Sequence, residues 1–122
     1  MLRKSLIAKR TKAFLSGMVI TAALGIQPSY AAGLTAGDVL KEMPTNEFVV
    51  YVAGMVEGFA YARFRKDSIE AGRKVETGMQ CIRDFYLTNP KIILMIEDAF
   101  RQHAQHSPSV VLAAMLKKEC GE

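Results

Sequence analysis

The chain has 122 residues, half of them hydrophobic, and carries 16 Lys and Arg against 12 Asp and Glu, a net charge of +4. Five of the bases and none of the acids precede residue 32, so residues 32–122 hold 11 bases and 12 acids, a net charge of −1. This balance removes the main support for nucleic-acid binding, which depends on a basic surface. The 91 residues from 32 onward suffice for one small domain of marginal stability.

The N-terminus has the pattern of a secretory signal peptide. A basic run from Arg3 to Lys12 precedes an apolar stretch over 13–26, and small residues follow at Ser29 and Ala31. Fourteen apolar residues fall short of the roughly 20 that span a bilayer. We therefore predict a signal peptide over 1–31, cleaved after Ala31, a periplasmic mature protein over 32–122 and no membrane association after cleavage.

Two helices are predicted in the first half of the mature chain. A short one covers Thr35 to Met43 and ends before Pro44, because the residue before a proline avoids helical geometry. A longer one begins near Thr45, which would cap it, and runs to about Arg65. Its apolar residues recur at steps of three and four, which is the period of one helical face: Val49, Val52, Val56, Phe59 and Ala60.

Two glycines lie four residues apart in the longer helix. Gly54 and Gly58 each cost about 1 kcal/mol relative to alanine in a helix interior. Close approach of another helix is the usual compensation, so we expect tight packing at these positions. The same spacing occurs in membrane helices, but Glu57 and Arg63 argue against a spanning segment.

Residues 63–78 are the polar part of the chain and admit two interpretations. One is a solvated helix end followed by a connecting loop. The other is a charged surface that contacts a protein partner, with five candidate residues: Arg63, Arg65, Lys66, Arg73 and Lys74. Acidic residues are interspersed among these bases, which argues against a phosphate or membrane patch.

The second half of the chain is also helical in pattern. Residues 77–88 fit either a helix or a buried irregular turn. Two clearer helices follow, the first capped by Thr88 or Asn89 and the second by Ser107, each with a proline in its first turn. We place His103 on the apolar face of the first and His106 in the turn after it. Because no segment alternates with period two, we predict an all-α domain, a bundle of about four helices.

Cys81 and Cys120 are the only cysteines. In an exported chain, two cysteines favour a disulfide over thiols or a metal site. The loop that such a bond closes would stabilise the fold by roughly 4 kcal/mol in the chain-entropy model. A structural zinc site would need both cysteines plus His103 and His106 at close spacing, and we predict no metal.

Catalysis finds little support in the sequence. A Cys–His nucleophile would require a free thiol and a third, orienting group. Glu97 and Asp98 are neighbours in sequence, so on a helix they point about 100° apart. There is no glycine-rich phosphate loop, and the seven methionines show no ligand spacing. We predict a non-enzymatic protein without cofactors.

Over about residues 38–120 the chain resembles the Rap/Tai immunity proteins of type VI secretion. The resemblance rests on residues 51–58 (YVAGMVEG), on Cys81-Ile82, and on residues 108–116 (PSVVLAAML) leading to Cys120. It implies a small exported helical protein that binds and inhibits a cell-wall amidase toxin. The chain departs from that family at Met43 and Phe48, where a further cysteine pair is frequent, at Ala104, where His-Pro is frequent, and at Glu119, which replaces a proline.

A second interpretation is a periplasmic acid-stress chaperone of the HdeA type, which is also small, helical and joined by one disulfide. Its spacing from cysteine to Asn-Pro is shorter than that from Cys81 to Asn89-Pro90 here. A third is another non-enzymatic periplasmic protein with an unrelated partner. A homodimer is a further arrangement that we consider.

Overall fold

The structure of the protein is a computed structural model that describes residues 33–122. The predicted signal peptide and its cleavage site lie outside this range. The described residues form α-helices and no strand, so the all-α prediction is confirmed, with five helices instead of about four. Their bounds are α1 Ala36–Glu42, α2 Thr45–Ala71, α3 Thr77–Leu87, α4 Ile92–Gln102 and α5 Pro108–Cys120. None of these five is both long and apolar enough to cross a bilayer.

Helix α1 begins at Ala36, one residue after the predicted start at Thr35, and Thr35 is its cap. The Thr35 hydroxyl accepts a hydrogen bond from the Asp38 backbone N–H at 3.1 Å, and the Asp38 carboxylate accepts one from the Thr35 N–H at 3.0 Å. This reciprocal pair is a capping box. The bond from the Thr35 N–H stabilises the carboxylate and, with a smaller contribution from the Thr35 hydroxyl, lowers the pKa of Asp38 below its usual value.

The first turn of α1 is tied to the connection between α4 and α5. The Ala36 N–H donates to the His106 carbonyl at 2.8 Å, and the Gly37 N–H donates to the Ala104 carbonyl at 2.9 Å. A Cβ at Gly37 would lie 3.1 Å from the Ala104 Cβ. A glycine at this position therefore lets the two backbones approach closely.

Helix α2 is longer than predicted and starts differently. It continues six residues past Arg65, because residues 66–71 contain neither glycine nor proline. It ends at Gly72, which adopts a left-handed conformation with φ 66°. The predicted side-chain cap by Thr45 is wrong, since Thr45 is the first helical residue and the cap position is Pro44, with no side-chain bond.

Residues 77–88, left open by the sequence, form α3, and Thr88 follows as its cap. Met79 and Ile82 are buried on its inner face. The Tyr86 hydroxyl donates to the Val49 carbonyl of α2 at 3.3 Å. Helix α3 therefore lies along α2, and this pair forms the most extensive helix contact in the described chain.

Helix α5 begins as predicted, with Ser107 as its cap and Pro108 as its first residue. The predicted cap of α4 by Thr88 or Asn89 is wrong, because its cap position is Lys91, without a side-chain bond, and Pro90 precedes the helix. The Asn89 side chain accepts a bond from the Lys91 N–H at 3.0 Å, and the Ser107 hydroxyl accepts one from the Val110 N–H at 3.4 Å. The placement of His103 on the apolar face of α4 is wrong. It is exposed and follows the last residue of the helix, because the chain leaves helical geometry there, at φ −122° and ψ 42°.

The core draws on all five helices. Phe48 of α2 and Phe100 of α4 meet edge to face with ring centroids 5.7 Å apart. No polar or charged side chain is buried within residues 33–122. The buried residues are Ala36, Val39, Phe48, Val52, Val56, Ala60, Met79, Ile82, Ile92, Ile96, Phe100, Val111, Leu112 and Leu116.

The expected tight packing at Gly54 and Gly58 is wrong. Both glycines are exposed, and a Cβ built on either one meets no atom within 4 Å. The buried face of α2 is centred instead on Val52 and Val56. The glycines lie on the opposite side of the helix, where no other described segment covers them.

Candidate binding groove between α2 and α5

The predicted disulfide is present and joins α3 to the end of α5. The Cys81 and Cys120 Cα atoms are 5.8 Å apart, and the bond links residues 39 positions apart in sequence. No free cysteine remains among the residues described. Neither cysteine therefore offers a thiolate, which removes the Cys–His pair considered from the sequence.

Arg63 of α2 also contacts the C-terminal end of α5. Its Nε donates to the Asp67 carboxylate at 2.8 and 3.0 Å, and its Nη1 donates to the Gly121 carbonyl at 2.9 Å. The guanidinium thus neutralises a carboxylate one turn away and binds the orphan carbonyl end of α5. With its side chain only 18% exposed, Arg63 has a structural role inside this domain.

Gly78 allows the Arg63–Asp67 pair to form beneath α3. A Cβ on Gly78 would lie 2.6 Å from both the Arg63 Nε and the Asp67 Oδ2, closer than real Cβ contacts permit. The first turn of α3 therefore covers the ion pair directly. Partial burial strengthens such a pair relative to one in open solvent.

Next to Arg63 and its contacts with Asp67 and Gly121, which we call the Arg63 anchor, an open groove of about 350 Å³ runs between α2 and α5. Lys66 and Lys117 stand on its rim, both exposed. Lys117 also pairs with the Glu122 carboxylate, which lowers the pKa of Glu122. Apolar side chains from three helices form its floor: Phe59, Ala62, Ile82, Ala113 and Leu116.

The structure separates the five predicted contact residues. Arg63 and Lys66 line the groove. Arg65 lies on another side of α2, because successive helical residues point about 100° apart. Arg73 and Lys74 belong to the connection between α2 and α3, where Lys74 pairs with Glu76 at 2.9 Å. The five residues do not form a single patch.

A second groove of about 360 Å³ lies between α4 and α5. It is bordered by His103 and His106, whose rings are 6.0 Å apart, and by Lys118, with Val110 and Met115 among its apolar residues. No group of three or more potential metal-ligating side chains occurs in the part of the chain that the structure describes. This groove offers apolar contact and imidazole hydrogen bonding.

Sequence reasoning found Arg63 and Lys66 but missed the groove that joins them. Its floor combines Phe59 of α2, Ile82 of α3 and Ala113 of α5, which are far apart in sequence. One signal was available: an Arg63–Asp67 pair at i and i+4 near a glycine that opens the next helix. That combination would have indicated an ion pair covered by a neighbouring backbone.

The segments that resemble the Rap/Tai proteins fall on three different helices. Residues 51–58 belong to α2, Cys81-Ile82 to α3 and residues 108–116 to α5. The disulfide joins the second segment to the end of the third helix. Comparison of the chain with protein-family models, curated proteins and solved structures gives no match.

Proposed function

We propose that this chain is exported to the periplasm and acts there as a protein-binding domain that inhibits a cell-wall amidase, as its resemblance to Rap/Tai immunity proteins implies. The observation that carries the proposal is the groove between α2 and α5, with its apolar floor and basic rim. We assign the partner contact to this groove.

The composition of the groove suits a protein segment. An apolar floor such as Phe59 and Leu116 receives the aliphatic or aromatic anchors that dominate binding energy at protein interfaces. Lys66 on the rim, which has no ion-pair partner within residues 33–122, favours a carboxylate on the partner and speeds its approach. The expected occupant is therefore an apolar loop or helix end of the amidase, flanked by acidic residues.

The walls of the groove are held in place before any partner arrives. The Cys81–Cys120 disulfide fixes the end of α5 to α3. Arg63 fixes the same end to α2 through the Gly121 carbonyl. Because a preorganised surface loses little conformational entropy on association, this arrangement favours tight binding.

A pair of variants on adjacent α5 residues tests the assignment. Ala113→Arg places a long charged side chain over the floor of the groove, whereas Ala114→Arg places the same side chain toward the second groove. The tagged protein is used to retain partners from periplasmic extract, and any partner is assayed for peptidoglycan amidase activity. We expect Ala113→Arg to lose both retention and inhibition and Ala114→Arg to keep both.

Two outcomes would contradict this proposal. Retention that survives Ala113→Arg and is lost in Ala114→Arg would move the contact to the second groove. Absence of a partner, together with suppression of aggregation of unrelated proteins at low pH, would favour the HdeA-type chaperone function instead.

Export is tested separately by intact-mass measurement on a periplasmic extract. Cleavage after Ala31 yields a mature chain that begins at Ala32. A full-length species confined to the cytoplasm would contradict both the signal peptide and the periplasmic site of action.

A further inference from the structure

We propose that His103, His106 and Met115 form a binding site for a monovalent copper ion in the groove between α4 and α5. The two histidines border this groove, and Met115 is one of the side chains that line it. We call these three residues the His–Met cluster. Their spacing in the sequence does not show the cluster, because the third ligand comes from a different helix and the fold brings it to the same groove.

The backbone that carries the two imidazoles is held in place by hydrogen bonds. The His106 N–H donates to the His103 carbonyl at 3.0 Å and closes a tight turn. The Ala104 carbonyl accepts a bond from the Gly37 N–H at 2.9 Å, and the His106 carbonyl accepts one from the Ala36 N–H at 2.8 Å. Because these bonds fix the backbone, the two imidazoles need only side-chain rotation to meet on one ion, which is the preorganisation that a binding site requires.

The separation of the two rings suits an ion with few ligands. The ring centroids of His103 and His106 are 6.0 Å apart. Two imidazoles that bind one ion at metal–nitrogen distances of about 2.0 Å have centroids roughly 5.2 Å apart in tetrahedral, about 5.5 Å in trigonal and about 6.4 Å in linear coordination. The observed separation lies between the trigonal and linear values. It therefore favours Cu⁺, which accepts two or three ligands, over tetrahedral Zn²⁺.

The available ligands are uncharged, which also favours a monovalent ion. No third His, Cys, Asp or Glu side chain joins the histidines within residues 33–122. Neither the groove nor the adjoining hollow lined by residues 101–106 contains a carboxylate, and Lys118 adds a positive charge. A divalent ion would have twice the uncompensated charge of Cu⁺ in these surroundings. Imidazole and thioether are also ligands that suit Cu⁺.

Met115 supplies the sulfur ligand of the cluster. Its side chain is partly buried and packs against the core, so packing restricts the position of the thioether. The four-ligand zinc site considered from the sequence included both cysteines, but Cys81 and Cys120 are joined to each other. Because no free cysteine remains among the described residues, no thiolate there competes with the cluster for Cu⁺.

Titration with Cu⁺ tests the site. The protein is expressed from its full sequence, kept under ascorbate without oxygen, and titrated with Cu⁺ against bicinchoninate, a coloured chelator of this ion. We expect one Cu⁺ per chain, bound at least about tenfold more weakly in His103→Ala and in His106→Ala. Because both histidines are exposed, the ion-free variants should melt at the temperature of the unmodified protein.

Two methionine variants form a matched pair. Met115→Leu removes the thioether and nearly keeps the side-chain volume, so it should weaken Cu⁺ binding at least about tenfold and leave Zn²⁺ binding unchanged. Met95→Leu, on α4 and outside the groove, should change neither. X-ray absorption at the copper edge should show a sulfur neighbour in the unmodified and Met95→Leu proteins and none in Met115→Leu. The disulfide sulfurs are present in all three proteins and therefore cannot cause this difference.

Three outcomes would overturn the proposal. The first is that the unmodified protein binds Cu⁺ no more tightly than the double variant His103→Ala with His106→Ala. The second is a sulfur neighbour that persists in Met115→Leu, which would assign the ion to a different sulfur. The third is Zn²⁺ binding as tight as Cu⁺ binding, which would indicate two surface imidazoles acting without the thioether. None of these results depends on whether an amidase occupies the α2–α5 groove.

Discussion

Replacing both Cys81 and Cys120 by serine should destabilise the fold by about 4 kcal/mol. The disulfide joins positions 39 residues apart, and closing a loop of that length lowers the entropy of the unfolded chain by this amount in the chain-entropy model. Small domains have 5–15 kcal/mol of total stability. For a domain of this size the loss corresponds to a melting temperature lower by about 15–30 °C.

The structure indicates that this loss of stability arises mainly in the unfolded state and not in the folded one. In the unmodified chain the Gly121 carbonyl also accepts a hydrogen bond from Arg63, and α5 buries Val111, Leu112 and Leu116; both contacts should persist in the double serine variant. The native position of the C-terminus therefore does not depend on the sulfur bond alone. Most of the change should come from the greater freedom of the unfolded chain, so urea denaturation should also show a larger m value.

Thermal and urea denaturation of the oxidised protein and the double variant measure this effect, each with and without reductant. Reduction should bring the unmodified protein to the melting temperature of the variant and leave the variant unchanged. Equal melting temperatures for the oxidised protein and the variant would refute the entropic argument. A variant that loses its helical signal at all temperatures would show that native packing itself requires the bond.

Further predictions concern the anchor and the glycines. Arg63→Met should cost about 1–3 kcal/mol in urea denaturation, because it leaves Asp67 and the end of α5 without a donor, whereas the exposed Lys66→Met should change stability little. Gly78→Ala should destabilise by displacing the Arg63–Asp67 pair, whereas Gly54→Ala should stabilise the monomer by about 1 kcal/mol. For Asp38, whose pKa is lowered in the folded state, stability is present above the usual value of 3.8 and lost as the pH falls through the folded pKa. The stability difference between the protein and Asp38→Asn, measured by urea denaturation across acidic pH, should therefore shrink below about pH 3.8.

The features that could be predicted from sequence are those decided within one helical turn. The cap at Thr35 and the Ser107-Pro108 start of α5 depend on side chains three residues or fewer from the backbone groups that they bind. The end of α1 before Pro44 depends on sterics between neighbours. The disulfide pairing followed because two cysteines allow one intramolecular partner each.

Two helix ends could not be predicted from the periodic pattern. Residues 66–71 are charged and look like a loop, yet they continue α2, because only Gly72 and its left-handed conformation end the helix. His103 follows three apolar turns of α4 in the helical period, but the chain leaves the helix there to reach α5. In both cases the periodic pattern fits more than one boundary. The conformation of Gly72 sets the first boundary, and the connection to α5 sets the second.

The candidate site likewise combines residues that could be predicted from sequence with contacts that could not. Arg63 and Lys66 were found because charge is visible in the sequence, and one of them proved to be an internal anchor while the other stands on the rim of a groove. The distinction depends on Gly78 of α3, whose missing Cβ makes room for the guanidinium. A basic residue near the end of a long helix is thus a weak indicator of a partner surface until the segment packed above it is known.

Three glycines show why composition and periodicity do not predict tertiary contacts. Gly37 permits a backbone contact with Ala104, Gly78 permits a covered ion pair, and Gly54 faces open space. All three glycines are helical, Gly37 and Gly78 in a first turn and Gly54 in a helix interior, and their positions in the sequence do not show what each one faces. What differs is the atom that a Cβ would meet. The first two glycines are explained by contacts within one chain, whereas a Cβ at the third would meet no described atom within 4 Å.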